Sequence, residues 1–138
     1  MSIASNKALA LAYFSAFRDR DEEWWDAHIA PEFIRHDPGL GFAVEGPKGI
    51  RKLAEALHGG FSDIAYPIVH VVAEGDRVLV HLRQRATHSG EYEGTPATDT
   101  RTDIEVMDLF RVEGDQLVEH WALMDNLTLL KQIDAIDA

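Results

Sequence analysis

The sequence predicts an α+β domain, with helices first and an antiparallel sheet after them. Two observations carry this. Up to about residue 60 the apolar residues recur at helical spacing, and beyond it they alternate with polar ones. In addition, "AEGDRV" (Ala73–Val78) and "VEGDQL" (Val112–Leu117) repeat one signal, Gly-Asp between apolar runs, which marks two-residue hairpin loops.

The first helix is written in Asn6–Arg18, where Leu9, Tyr13, Ala16 and Phe17 fall on one face. A short second helix follows in "DEEWWDAHIAP". Asp21 can cap it, Glu22 and Glu23 suit its positive end, and Pro31 stops it. The stretch "FIRHDPGLGFAVEG" is too rich in Gly and Pro to be regular. The third helix opens at "GPKGIRKLAEALHGG". Pro47 fits its first turn, Ile50, Leu53 and Leu57 form its stripe, and Gly59–Gly60 end it.

In the first hairpin a two-residue loop sets Ala73 opposite Val78, Val71 opposite Val80 and Val69 opposite Leu82. One face is then apolar, and the other carries Arg77, His81, Arg83 and Arg85. The same register in the second hairpin pairs Val112 with Leu117, Phe110 with Glu119 and Asp108 with Trp121. It also pairs Val106 with Leu123 and Ile104 with Asp125. Trp121, Leu123 and Asp125 then share the inner face, while Met107, Leu109, Ala122 and Met124 point outward. "THSGEYEGTPATDTR" connects the hairpins, and "NLTLLKQI" forms a short terminal helix.

The bulk numbers narrow the class. The 138 residues make one domain, 1–138, and 46% hydrophobic content suffices for a packed core. The net charge of -11 argues against nucleic acid or anionic membrane as a partner, since both need a basic footprint. There is no cysteine, hence no disulfide or thiolate chemistry. "MSIASNKALALAYFSAF" lacks a basic flank and a long apolar run, so it reads as a helix of the mature chain rather than a signal peptide. The expectation is a soluble cytoplasmic protein.

For chemistry, Asp125 stands out. On an apolar inner face its carboxyl would lose hydration and become a better base near neutral pH. It equally suits the N-cap of the terminal helix. Asp108 is expected on the inner face about 13 Å from Asp125 along the strands, too far for a shared-proton pair, and reads as a buried hydrogen-bond acceptor. His36 in "RHDP" and His88 in "THSG" could orient a substrate carbonyl or exchange a proton with Asp125, or could be structural. His120 neighbours Trp121 and would point the other way unless a bulge intervenes. Trp121, Asp108, Tyr66, Phe33 and Phe110 make up the expected substrate-binding set. No "HExxH", "GxSxG" or phosphate loop occurs, and the expectation is no metal and no cofactor.

"HDP" with "GPKGIRKLAEALHGGFSDI", then "THSGEYEGTPAT", then "DLFRVEGDQLVEHWALMDNLTLLKQI" resembles the SnoaL-like polyketide cyclases of the nuclear-transport-factor-2-like superfamily. The resemblance spans about Ala8 to Ile133, and the closing block is its most specific part. It implies a cone-shaped barrel, with three N-terminal helices on a strongly curved antiparallel sheet that encloses an apolar cavity. It implies cofactor-independent aldol ring closure on a small hydrophobic carbonyl compound, with Asp125 at the position of the family's acid/base Asp. The fold also hosts isomerases, epoxide hydrolases and plain binding proteins. The outward strip of Met107, Leu109, Ala122 and Met124 points to a homodimer.

Overall fold

A computed structural model describes residues 2–137. The described chain runs α1 (Ile3–Asp19), α2 (Glu22–His28), β1 (Ile29–His36), β2 (Val44–Glu45), α3 (Gly46–Gly60), β3 (Phe61–Ala65), β4 (Ile68–Glu74), β5 (Arg77–His88), β6 (Arg101–Glu113), β7 (Gln116–Met124) and α4 (Asn126–Gln132). The strands form one strongly curled seven-stranded sheet in the order β2-β1-β7-β6-β5-β3, with β4 also paired to β5. Helices cover the inside of the curl, so a half-barrel results. No helix among the described residues is long and apolar enough to cross a membrane.

The helices follow from the sequence pattern. Ser2 and Ser5 form a reciprocal capping box at the start of α1. Leu9, Ala10, Tyr13, Phe14 and Phe17 are then buried on one face. Full burial of each large side chain is worth about 1.5–3 kcal/mol, so this face anchors the helix. Asp21 caps α2 by accepting from the Trp24 N–H. In α3, Ile50, Leu53 and Ala54 are buried and Pro47 occupies the first turn.

Two expectations about the sheet are corrected. First, "FIRH" is strand rather than loop: β1 starts immediately after α2 and runs parallel to β7, which makes the sheet mixed instead of antiparallel. Pro31 therefore lies inside a strand. It is tolerated because the β1–β7 register is interrupted between Ile29 and Ile34, where no ladder hydrogen bond is required.

Second, the β6–β7 register changes two pairs beyond its loop. Val112 does face Leu117, but Arg111 faces Glu119 and Phe110 faces His120. Val118 is the extra residue of a β-bulge, and it is buried next to buried Leu117. Because side chains alternate, one added residue turns the rest of β7 over. His120 and Ala122 point inward, while Trp121 and Leu123 point outward. The β4–β5 hairpin keeps the expected register from Ala73↔Val78 to Val71↔Val80, then shifts at Val69, so Leu82 faces Ile68.

Candidate functional site

A pocket of about 320 Å³ lies between α1, α3 and the inner face of the sheet. Phe14, Phe17, Leu53, Leu57, Val106 and Met124 give it apolar walls. Tyr13, Arg35, Tyr66, Gln84 and Asp108 add polar groups, and Glu91, Tyr92 and Glu93 reach it from the β5–β6 connection.

The inward turn of β7 assembles the polar part. Asp108 of β6 is 3% exposed, and its Oδ1 has no hydrogen-bond partner in the protein. Its Oδ2 lies 3.2 Å from His120 Nε2. Although the two atoms are close, neither ring nitrogen of His120 makes an aligned hydrogen bond. The His120 ring is fully enclosed, stacked on Phe110 with centroids 4.1 Å apart and edge-on to Tyr13. Burial lowers its pKa, and the opposing pull of Asp108 does not restore it. The imidazole is therefore neutral at neutral pH.

Arg35 comes from β1, the strand that the Gly/Pro-rich composition hid. Its guanidinium donates through Nε and Nη2 to Asp37 Oδ2 at 3.1 and 2.8 Å, and through Nη1 to the Tyr13 hydroxyl at 3.1 Å. The Arg35 and Asp37 side chains are only 8% and 5% exposed. Burial opposes the guanidinium's charge, but Tyr13, Asp108 and Asp37 outweigh it and hold the pKa above the ordinary value. Burial pushes Tyr13 up to about 12 and moves Tyr66 up as well. Both phenols keep their protons. Since Tyr13 accepts from Arg35, its own O–H is free to donate. Gln84 of β5 is 4% exposed, and its amide nitrogen has no partner in the protein.

The residues singled out by sequence are scattered. Asp108 and Tyr66 line the pocket. Phe110 and Phe33 are fully buried against His120, one layer behind the lining. The expected inner position of Asp125 is corrected by the Val118 bulge. Asp125 is exposed and caps α4, where Oδ1 accepts from the Thr128 N–H at 3.1 Å and Oδ2 from the Thr128 hydroxyl at 2.6 Å. These hydrogen bonds, the hydroxyl's foremost, lower its pKa, the opposite of the expected rise.

Trp121 is likewise corrected to the outer face, where it stacks on His36 at 5.4 Å. His36 accordingly sits outside, 2.7 Å from Glu119 Oε2. His88 does point inward, as its parity predicts, but does not reach the pocket. Its Nδ1 is 2.9 Å from Thr98 Oγ1, so it pins the β5–β6 connection. Sequence reasoning did not place Tyr13, Arg35, Gln84 or His120 in the site. Among the described residues no three His, Asp or Glu side chains converge as a metal site.

Comparison with known proteins places the chain by family and by fold. The family model for SnoaL-like polyketide cyclases matches residues 7–133. No curated protein sequence matches the chain significantly. Solved structures do. A candidate SnoaL-like polyketide cyclase from Jannaschia sp. CCS1 superposes with a TM-score of 0.87 at 24% identity, covering 99% of this chain and 96% of that one. IdmH from Streptomyces antibioticus, a candidate polyketide cyclase, gives 0.79 at 27% identity, covering 94% and 98%. AclR from Streptomyces galilaeus, a candidate hydroxylase, gives 0.86 at 26% identity, covering 99% and 85%.

Proposed function

Because the chain belongs to the SnoaL-like polyketide cyclase family, we propose that it is an acid/base enzyme that closes a ring by an aldol step on a small hydrophobic carbonyl compound. The observation that carries this is Asp108, a nearly fully buried residue that lines the pocket and whose Oδ1 has no hydrogen-bond partner in the protein. An acceptor kept unpaired in that position is poised to take a proton from whatever fills the pocket.

The steps follow from the groups present. Asp108 removes a proton from carbon next to a carbonyl, and the C–H electron pair moves to form an enolate with charge on oxygen. The neutral hydroxyls of Tyr13 and Tyr66 supply hydrogen-bond donors in the same pocket. The enolate carbon attacks a second carbonyl of the same molecule, and a C–C bond forms as that carbonyl oxygen becomes an alkoxide. The alkoxide takes the proton back from Asp108, which regenerates the carboxylate. His120 Nε2 sits 3.2 Å from Oδ2 and limits how the carboxylate can turn. The lining sets one cation, Arg35, against Asp37, Asp108, Glu91 and Glu93, which favours an uncharged substrate over an anion.

Proton exchange tests this. With α-tetralone as probe in deuterium oxide, the enzyme should label the carbon beside the carbonyl faster than buffer does. Asp108→Asn should lower the enzymic part about 100-fold or more. Exchange by the Asn variant at the parent rate would leave the chain as a binding protein of the same fold.

A further inference from the structure

We propose that Gln84 is a specificity-determining residue that reads a hydrogen-bond acceptor on the substrate, remote from the carbon that loses its proton. This rests on the reading of Asp108 as the base, and extends it to the far part of the pocket.

Three observations converge. Gln84 lines the pocket, is almost fully buried, and carries an amide nitrogen that no protein group satisfies. Leaving a buried donor unpaired is costly, and a Leu or Met of similar size would avoid the cost. Its surroundings are apolar: Ile104 stands opposite it on β6, and Val106 and Met124 share the wall. An acceptor inside the pocket satisfies such a donor, and a ligand lacking that acceptor leaves it unpaired, which is how a polar site rejects the wrong molecule.

The register separates Gln84 from the base. Asp108 lies opposite Val80, and Gln84 is four residues further along β5. At ~3.3 Å per residue the two side chains start roughly 13 Å apart, less whatever the curl takes up. One atom of a ligand cannot serve both. The same molecule must therefore offer an acidic C–H at one place and an oxygen or nitrogen acceptor at another, so the pocket selects a difunctional compound. The amide can give two N–H donors but carries no charge, which suits a carbonyl or ether oxygen.

The test uses two probes that differ in one acceptor: α-tetralone and 6-methoxy-α-tetralone. Kd for each is measured by calorimetry on the wild type, Gln84→Leu and Gln84→Met, with a circular dichroism spectrum of each variant. The wild type should bind the methoxy compound about 3- to 10-fold tighter, the size of one hydrogen bond. In both variants the ratio should fall to about one. Because the ratio is internal to each preparation, partial misfolding does not imitate the result. Asp108→Asn should lose proton exchange yet keep the methoxy preference, so failure of the base assignment and failure of this inference are distinguishable. Equal affinities in the wild type, or a preference that survives in both variants, would overturn the proposal.

Discussion

The two hairpins carry the same loop yet behave differently. Both turn through Gly-Asp, with Gly75 at φ 57 and Gly114 at φ 60, the left-handed region that a glycine adopts without strain. In β4–β5 the loop register holds through His70↔His81, and the extra residue, Val69, comes late, at an exposed edge. In β6–β7 the extra residue, Val118, comes two pairs after the loop. The early bulge decides what all later residues of β7 face; the late one moves only the end of a peripheral strand. The loop sequence fixes where a hairpin turns, but the bulge fixes which side chains enter the pocket.

Deleting one residue from each hairpin should expose this difference most strongly. Deletion of Val118 restores the loop register and turns Trp121 and Leu123 inward while expelling His120 and Ala122. It should cost about 5 kcal/mol or more, enough to unfold a domain of ordinary stability. Deletion of Val69 disturbs only the pairing near Ile68 and should cost about 1–2 kcal/mol. Chemical denaturation of both variants measures this. Equal losses would mean that the early bulge has no special weight.

Two carboxylates sharpen the comparison next. Asp108, upstream of the bulge, should carry activity; Asp125, downstream of it, should not. Asp108→Asn is expected to reduce turnover by about 10²–10⁴-fold, with Asp125→Asn close to the parent. A large loss in the Asp125 variant alone would return the base to the downstream position.

Much of the fold is legible because helices announce themselves by stripe and cap: Tyr13 and Phe17, Asp21, Pro47 before Ile50. β1 is not, because its strand residues Ile29, Ala30 and Phe33 are interrupted by Pro31 and followed by "HDPGLG"; only pairing with β7, distant in sequence, makes it a strand. The site suffers most. Both parities of β7 contain apolar residues, Trp121 and Leu123 on one and Val118, Ala122 and Met124 on the other, so alternation cannot choose between them. One signal did exist. The loop register places Glu119 inside against Phe110, a charge with no partner there, whereas the bulged register sends it outward to His36 and Arg111. Arg35 lay in the stretch read as loop, and Tyr13 was absorbed into an apolar stripe.

The outer face offers a third test. The bulge replaces the expected strip of Ala122 and Met124 by Leu123, 60% exposed, which joins Met107 and Val72 on the solvent side. If this face builds a dimer, Leu123→Lys should weaken self-association about 10-fold or more. Light scattering at micromolar concentration measures it, and a monomeric parent would remove the idea.

His120 supplies a smaller effect. Burial lowers its pKa in the folded state, whereas the unfolded chain takes up a proton near pH ~6.5. The unfolded state thus binds more protons below that pH, and stability falls as pH drops through it. His120→Phe keeps the stack on Phe110 and removes the titration. Melting curves from about pH 7.5 down to 5 should slope less in the variant than in the parent. Identical slopes would mean that His120 charges as easily in the folded chain as in the unfolded one.

The smallest effect belongs to Asp125 as a cap. Its two hydrogen bonds from Thr128 are local and exposed, and α4 has only seven residues. Asp125→Ala removes both acceptors and should lower Tm by a few degrees; Asp125→Asn retains an acceptor for the Thr128 N–H and should lose less. The sign of the pH dependence follows from the lowered pKa. The carboxylate's contribution is present above its unfolded pKa and is lost as pH falls through the folded one. The gap in Tm between parent and Asp125→Ala should therefore close in acid, below about pH 4. An alanine variant that is as stable as the parent at neutral pH, yet inactive, would contradict the cap and revive the downstream carboxylate as the working base.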